Sequence, residues 1–496
     1  MTDTSPLWRF FTAGGFDQVR LDHGNDLLQL DQLDQKLWVA LSCPTKGLEF
    51  DGKTLALVDQ DQDGHVRAPE LIAALRWTGE RLNNPDLLAQ DIGALPLSAI
   101  HTGHLAGAQL LAAARHVLAA LGKEQADAID LTDLAAYAGM QATLPFNGDG
   151  QITRNSTDNP ALQALIDDIV NCCGAVADPS GQPGLTPALA EQFFTEAGNW
   201  LNWHTRPGGE SSLLPLGGGT ADALAACQAV SAKIEDFFSR CRLAAFAPRA
   251  GALLNGSEEE FRQLAARALT SADPTLAALP LAQVGSDALL PLDSGLNPAW
   301  SAAMARFRQL TVTPLLGERQ QLSDAEWQQL NASLAGYAAW QAAQPATPVA
   351  ALGPERLQTL LRGELRNELN ALFARDLALA PEAAAVAELD KLVRFSCQLG
   401  TLANNFVAFR DFYTGKAPAV FQAGTLYLDG RSCDLCLKVL DAGKHAALAS
   451  LSGIYLAYCD CARAGEKMTI AAAFTAGDSD QLMVGRNGVF YDREGR

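Results

Sequence analysis

One segment constrains this chain more than any other: Asp59-Gln60-Asp61-Gln62-Asp63-Gly64-His65-Val66-Arg67-Ala68-Pro69-Glu70. Carboxylates stand at its first, third, fifth and twelfth positions, glycine at the sixth and an aliphatic residue at the eighth. Without a cation these carboxylates repel one another, so the metal-free loop is expected to be the looser state. Gly64 sits where the chain must turn sharply, and glycine reaches the positive φ that a side chain resists. Upstream, residues 52–58 read as a helix. Downstream a second helix starts at Pro69, which the first turn tolerates, and runs to about residue 81. The segment therefore reads as helix, acidic turn, short strand, helix.

At every defining position this loop resembles the EF-hand family. The resemblance implies calcium, a hard cation that takes six to eight oxygens. Asp59, Asp61 and Asp63 would each give one carboxylate oxygen, His65 its backbone carbonyl, and Glu70 a bidentate carboxylate that closes the site. Val66 would point inward from a short strand that pairs with a partner loop. Arg67 departs from the family's small polar residue at the ninth position. It offers no oxygen, so water would fill that place. The resemblance covers roughly 30 residues of the chain.

A weaker copy of the unit follows. Residues 47–51, Gly-Leu-Glu-Phe-Asp, are a candidate metal-free partner strand for the Val66 strand. Ala128-Ile129-Asp130 is a similar strand, and a helix then leads to Asn147-Gly148-Asp149-Gly150-Gln151-Ile152. Aligned on Gly150 and Ile152, this second loop has Pro145 first and Ser156 twelfth. Asn147, Asp149 and Asp158 remain as candidate ligands, and the loop reads either as a weaker cation site or as a structural turn. Residues 178–185 resemble a further decayed loop without assignable metal.

At about 100–200 residues per domain, a chain of 496 residues suggests about three domains. The expected class is α+β: a helical N-terminal module with the acidic loops over residues 1–204, a helical middle domain over 221–414, and a small antiparallel β domain over 415–496. Glycine-rich residues 205–220 read as the linker between the first two. Helices are expected over 28–41, 105–121, 131–140, 160–173 with Asn159 as N-cap, 221–241, 258–269, 323–341 and 354–377. Strands are expected over 420–428, 433–440, 453–463, 467–474, 481–484 and 489–491. Asn487-Gly488 is a hairpin signal, and the turn after it suggests that the native chain continues beyond Arg496.

The net charge of −19, with no clustered Lys and Arg, argues against nucleic acid as a partner. No apolar leader opens the chain, no run reaches the ~18 apolar residues of a membrane span, and the cysteines are sparse. A cytoplasmic setting is the expectation, and membrane attachment would come only through residues beyond this chain.

Cys433, Cys436, Cys459 and Cys461 read as buried structural thiols, a zinc set or a redox pair. His101, His104 and His116 read as surface or capping residues, and Gly217-Gly218-Gly219-Thr220 as a linker with Thr220 as N-cap. Phe406, Phe409, Phe412 and Tyr413 form an aromatic stripe that suits a core. No nucleophile, base or dinucleotide pattern stands out, so no enzyme is expected. The layout resembles bacterial EF-hand proteins, some of which continue into hydrophobic C-terminal segments. The expected function is calcium binding that braces or regulates a larger assembly through an unidentified protein partner or self-association. A self-assembling or membrane-attached scaffold is the alternative, and an enzyme the third reading.

Overall fold

Short polar side chains such as Asp51, Asn159 and Ser323 cap several of the helices in the computed structural model, which describes residues 8–13, 15–266, 268–415, 417–428, 430–450, 454–474 and 485–496. From the N-terminus come β1 (Phe10–Ala13), β2 (Phe16–Val19), α1 (Gly24–Leu28), β3 (Ser42–Pro44), α2 (Gly52–Val58), β4 (His65–Arg67), α3 (Ala68–Gly79), β5 (Ala94–Pro96), α4 (Leu105–Ala120), β6 (Ala128–Asp130) and α5 (Leu131–Gln141). The middle holds α6 (Pro160–Cys173), β7 (Val176–Ala177), β8 (Pro183–Gly184), α7 (Pro187–Gly209), α8 (Thr220–Phe246), α9 (Glu258–Ala265), α10 (Pro274–Ala278), β9 (Leu289–Pro291), α11 (Ser301–Phe307), α12 (Thr313–Leu316), β10 (Gln321–Ser323), α13 (Asp324–Ala342), α14 (Gly353–Leu361) and α15 (Glu364–Leu377). The final stretch holds α16 (Ala380–Val407), α17 (Arg410–Thr414), β11 (Gly424–Leu428), β12 (Arg431–Cys433), β13 (Cys436–Val439), α18 (Ala442–Ala449), β14 (Tyr455–Arg463), β15 (Glu466–Phe474) and β16 (Val489–Asp492). Helix takes 56% of the residues and small antiparallel sheets 15%, which makes the class α+β.

The chain divides into two compact units, and not at the consecutive boundaries expected near 204–221 and 414–415. One unit joins residues 1–152 and 179–182 to 373–496; the other holds 153–178 and 183–372. The reason is α16, which returns to the N-terminal elements and packs against α2, α3, α4 and α5. Its Leu389, Leu392, Phe395, Leu399, Leu402 and Phe406 are buried in the core those helices share. Gly400 allows the closest approach: a Cβ there would lie 2.0 Å from the Leu88 carbonyl oxygen. In the same unit two three-stranded antiparallel sheets form, in the orders β12-β11-β16 and β13-β15-β14. The second unit has its own core around Phe237, Phe238, Phe307 and Trp327, carried by α8, α11 and α13. There Trp203 and Trp340 stack at 4.7 Å, and each indole N–H donates to the other's carbonyl, at 2.8 and 2.9 Å.

Some expected elements differ. No α-helix forms over 28–41: α1 stops at Leu28 and only short 3-10 turns follow at Leu30–Gln32 and Gln35–Leu37, where Asp34 caps the second by accepting the Lys36 N–H and the Val39 and Ala40 N–H groups both donate to the Phe406 carbonyl. The helix over 354–377 breaks at Gly363, whose φ is +101°, into α14 and α15. Residues 205–220 are not a free linker, since α7 runs through Pro207 to Gly209, and Gly219 rather than Thr220 is the N-cap of α8. The strand over 433–440 begins only at Cys436, and α18 lies between strands where no helix was expected. Residues 481–484 lie outside the described residues.

One local device recurs along the chain. A fully buried aliphatic residue is followed by a capping residue and then a helix: Val66 before α3, Ile129 before α5, Leu185 before α7 and Leu322 before α13. Ile152 is buried in the same way before the turn at Arg154–Ser156. The cap is closed by Glu70, Asp133 and Glu326 at the third helical position in three of these cases, so each carboxylate satisfies an N–H that the helix leaves unpaired. The repeat read from sequence is therefore a repeat of strand, cap and helix, whether or not acidic residues precede the strand.

Candidate metal site

The loop over residues 59–70 is held at both ends. Asp51 caps α2 by accepting the Thr54 N–H and hydroxyl, each at 2.7 Å. Burial opposes ionisation of Asp51, but its hydrogen bonds from Thr54 and the Arg394 guanidinium outweigh this and hold its carboxyl below the ordinary value. Arg394 donates to Asp51 at 2.6 Å and to Asp390 at 3.0 Å, and Lys53 pairs with Asp390 at 2.7 Å. The Thr54 hydroxyl also lies within hydrogen-bond distance of the Gln398 side-chain amide, which can donate to it. On the outgoing side, Trp77 of α3 meets Phe395 edge to face at 5.8 Å, with the Arg81 guanidinium 4.0 Å from its ring centre and Lys391 at 4.4 Å. Both flanking helices are thus fastened to α16.

Between them the loop curls around its own carboxylates. Asp59 Oδ2 accepts the Gly64 N–H at 3.0 Å, Asp61 Oδ1 that of Asp63 at 3.2 Å, and Asp63 Oδ1 that of His65 at 2.9 Å. Gln62 and Gly64 carry positive φ, +58° and +85°. One carboxylate oxygen each from Asp59, Asp61 and Asp63 lies within 4.8 Å of the others. Asp59 is only 7% exposed, and its Oδ1 has no hydrogen-bond partner among the described residues. A buried carboxylate oxygen without a donor is costly unless a cation faces it. The donor set, hard oxygens only, fits a divalent cation of the alkaline-earth kind.

Glu70 stands outside that cluster. Its Oε1 accepts the Gln60 N–H and its Oε2 the Arg67 N–H, both at 2.8 Å. His65 shares the β4 pairing with Pro44, and its ring is half exposed and faces Asp63. Arg67 pairs through its guanidinium with Asp61 at 3.4 Å and with Asp63. That hydrogen bond holds the Asp63 carboxyl below its ordinary range and raises Arg67.

The partner strand of β4 is β3, with Cys43 opposite Val66. Residues 47–51 do not fill that role. Thr45 N–H and hydroxyl both donate to the Gly64 carbonyl, at 2.9 and 3.1 Å, while the Glu49 N–H goes to the Val420 carbonyl and Asp51 caps α2. Strand β6 pairs with β5, Ile129 opposite Leu95.

The second loop repeats the first with one substitution. Asn147 Oδ1 accepts the Asp149 N–H at 3.0 Å, and Asp149 Oδ1 that of Gln151 at 2.9 Å, as Asp61 and Asp63 do. Gly148 and Gly150 have φ of +80° and +81°. Pro145 cannot supply the first carboxylate. Asp376, from the last turn of α15 and fully buried, takes its place. Asp376 accepts the N–H groups of Asn147 at 3.0 Å, Gly148 at 2.8 Å and Gly150 at 2.8 Å. Asp158 is exposed and belongs to the other compact unit, so Asn147 and Asp149 share a loop with each other and not with it. The sequence around Asp376 carries no local sign of this role.

The four C-terminal cysteines pack in one apolar cluster, but no three of their thiols come within metal-binding reach among the described residues. The Cys436 Sγ lies 3.2 Å from the Cys433 carbonyl, within hydrogen-bond reach, and hydrogen bonding between the two thiols lowers Cys433 from its ordinary value while raising Cys436. His104 caps α4 by accepting the Gly107 N–H, and His116 sits 2.8 Å from Glu382. Phe406 is core, whereas Phe409 and Phe412 both lie against Phe421. No helix among the described residues is long and apolar enough to cross a membrane. No protein-family model matches the chain, and neither a curated protein nor a solved structure is found to be similar to it.

Proposed function

We propose that residues 59–70 form an EF-hand site for one calcium ion and that the ion braces the unit built around α16, in a cytoplasmic protein that is not an enzyme. The observation that carries the reading is Asp59 Oδ1, buried, without a donor, and grouped with the carboxylates of Asp61 and Asp63. Calcium bound there would supply the positive charge that Asp59 Oδ1 lacks. Asp59, Asp61, Asp63, the His65 carbonyl and Glu70 would hold it, with Glu70 leaving its two backbone partners to do so. A brace is favoured over an opening switch because α2 and α3 are each tied to α16 by the ion pairs of Asp51 and Asp390 and by the Trp77 contacts. A site of this kind adds about 2.7 kcal/mol of stability when free calcium is 100 times its dissociation constant.

Calorimetric titration of the chelator-stripped protein tests this, beside Glu70→Gln and with small-angle scattering at both end points. The expected result is one calcium per chain, binding weakened at least tenfold in Glu70→Gln, a higher melting temperature and an unchanged scattering curve. A calcium-driven change of shape would instead make the site a regulatory switch, and absence of binding would remove the reading. A second reading, self-association, draws on β14, an edge strand nine residues long whose outer side pairs with no described strand. Mass in solution by sedimentation separates the two.

A further inference from the structure

We propose that Arg67 is a tethered counterion, built into the loop, that competes with the bound cation for Asp61 and Asp63 and thereby sets the affinity of the site. The inference rests on the calcium reading of residues 59–70 and concerns its regulation. Arg67 occupies the ninth loop position, where its backbone is fixed from two sides: it pairs with Ser42 in the β3–β4 ladder, and its N–H donates to Glu70 Oε2. With the backbone held, the side chain folds back over the acidic turn, one guanidinium nitrogen on Asp61 Oδ2 at 3.4 Å and the other on Asp63 Oδ2. These two oxygens are the ones that the internal turn leaves over, since Oδ1 of each residue already accepts a backbone N–H. The guanidinium therefore neutralises the part of the loop that a cation would use, and Asp59 Oδ1, which Arg67 does not reach, stays without a partner.

Two consequences follow from the charges. In the metal-free loop, one positive group bridging two carboxylates offsets their mutual repulsion, so the loop holds its turn without metal. On binding, the cation meets an arginine that must move away from Asp61 and Asp63, and the remaining positive charge repels a divalent ion from close range. Both effects weaken binding, and both are screened by salt because Arg67, Asp61 and Asp63 are all partly exposed. Arginine suits this role because it stays charged at every working pH and its fork spans two carboxylates.

The test is calcium titration by calorimetry of the full chain, after chelator treatment, for the wild type, Arg67→Gln, Arg67→Lys and Asp59→Asn at low and high salt. Melting temperatures with and without calcium accompany each titration. Arg67→Gln is expected to bind calcium roughly tenfold more tightly than the wild type at low salt, with a smaller gain at high salt. Its metal-free form should melt lower than the wild type and its calcium-loaded form no lower. Arg67→Lys, which keeps the charge but loses the fork, should fall between. Asp59→Asn should lose most of the binding heat, which places that heat in this loop. An Arg67→Gln affinity equal to or weaker than the wild type, with Asp59→Asn still impaired, overturns the counterion role and leaves the calcium site standing. If the wild type and Arg67→Gln both fail to bind, the calcium reading itself falls and the inference with it.

Discussion

Gly64 and Gly148 sit in two loops with the same turn, yet substitution should affect them differently. A Cβ on Gly64 meets nothing within 4 Å, so alanine there costs only the strain of φ at +85°, about 1–2 kcal/mol. A Cβ on Gly148 lands 2.7 Å from the backbone carbon of Leu379, so alanine adds a clash that α15 and α16 cannot relieve by a rotamer change. Gly148→Ala should therefore lower the melting temperature more than Gly64→Ala, while only Gly64→Ala weakens calcium binding. Melting curves and titrations of both variants check this, and the reverse ranking in either assay would count against it. At this scale the sequence was readable where the turn itself needs a particular residue at a particular place. The acid, glycine and aliphatic positions of residues 59–70 fall in register, and Val66 is buried as its position requires. The pairing of Arg67 with Asp61 and Asp63 was less readable, since a residue that lacks oxygen was read only as a missing ligand.

Among the elements, the second loop shows most clearly why local reading stops short. Pro145 in place of the first aspartate looks like decay, yet the carboxylate returns from Asp376, far along the chain and at the end of α15. No periodicity connects the two. The helix starts, by contrast, were largely legible because capping is local: α2 runs over 52–58 and α6 over 160–173 as read, the latter capped by Asn159. Asp376→Ala should leave the N–H groups of Asn147, Gly148 and Gly150 without their acceptor in a partly buried place. At about 1–3 kcal/mol for each unsatisfied group, partly relieved by relaxation, the loss should be roughly 3–5 kcal/mol. Asp376→Asn keeps one oxygen for Asn147 and Gly148 but turns an amide toward Gly150, so its cost should be smaller. Urea unfolding measures both. Calcium should bind these variants as it binds the wild type, because loop 59–70 is untouched. A stability loss that calcium alone makes good would mean that the second loop, not the first, is where the metal acts.

Across the whole molecule, the division into units was the least legible feature, because α16 is amphipathic in sequence but carries no mark of which distant helices it will meet. What the whole chain does display is acidity, a net charge of −19, and that bears on its behaviour in acid. Asp51 and Asp63 in one unit, held by Thr54 and Arg394 and by Arg67, have carboxyls lowered from the ordinary 3.8. Glu260 and Glu326 in the other unit are lowered from 4.5, chiefly by the backbone N–H groups of Ser257 and Ser323 that they cap. A carboxyl lowered in the folded state binds fewer protons there than in the unfolded chain. Its contribution is complete above the unfolded value and disappears as pH falls through the lowered one. Both units should therefore keep a nearly constant melting temperature from neutral pH to about 5 and lose stability together below about 4. If loop 59–70 holds calcium as proposed, the ion's contribution should also be lost in acid, since carboxylate ligands must be deprotonated to bind it. Scanning calorimetry at a series of pH values, with calcium and with chelator, reads both effects at once. Curves with calcium and with chelator that merge in acid and then fall together are the expected result. A melting temperature that rises as pH drops below 4 would mean that relief of charge repulsion across this acidic chain outweighs the loss of its paired carboxylates.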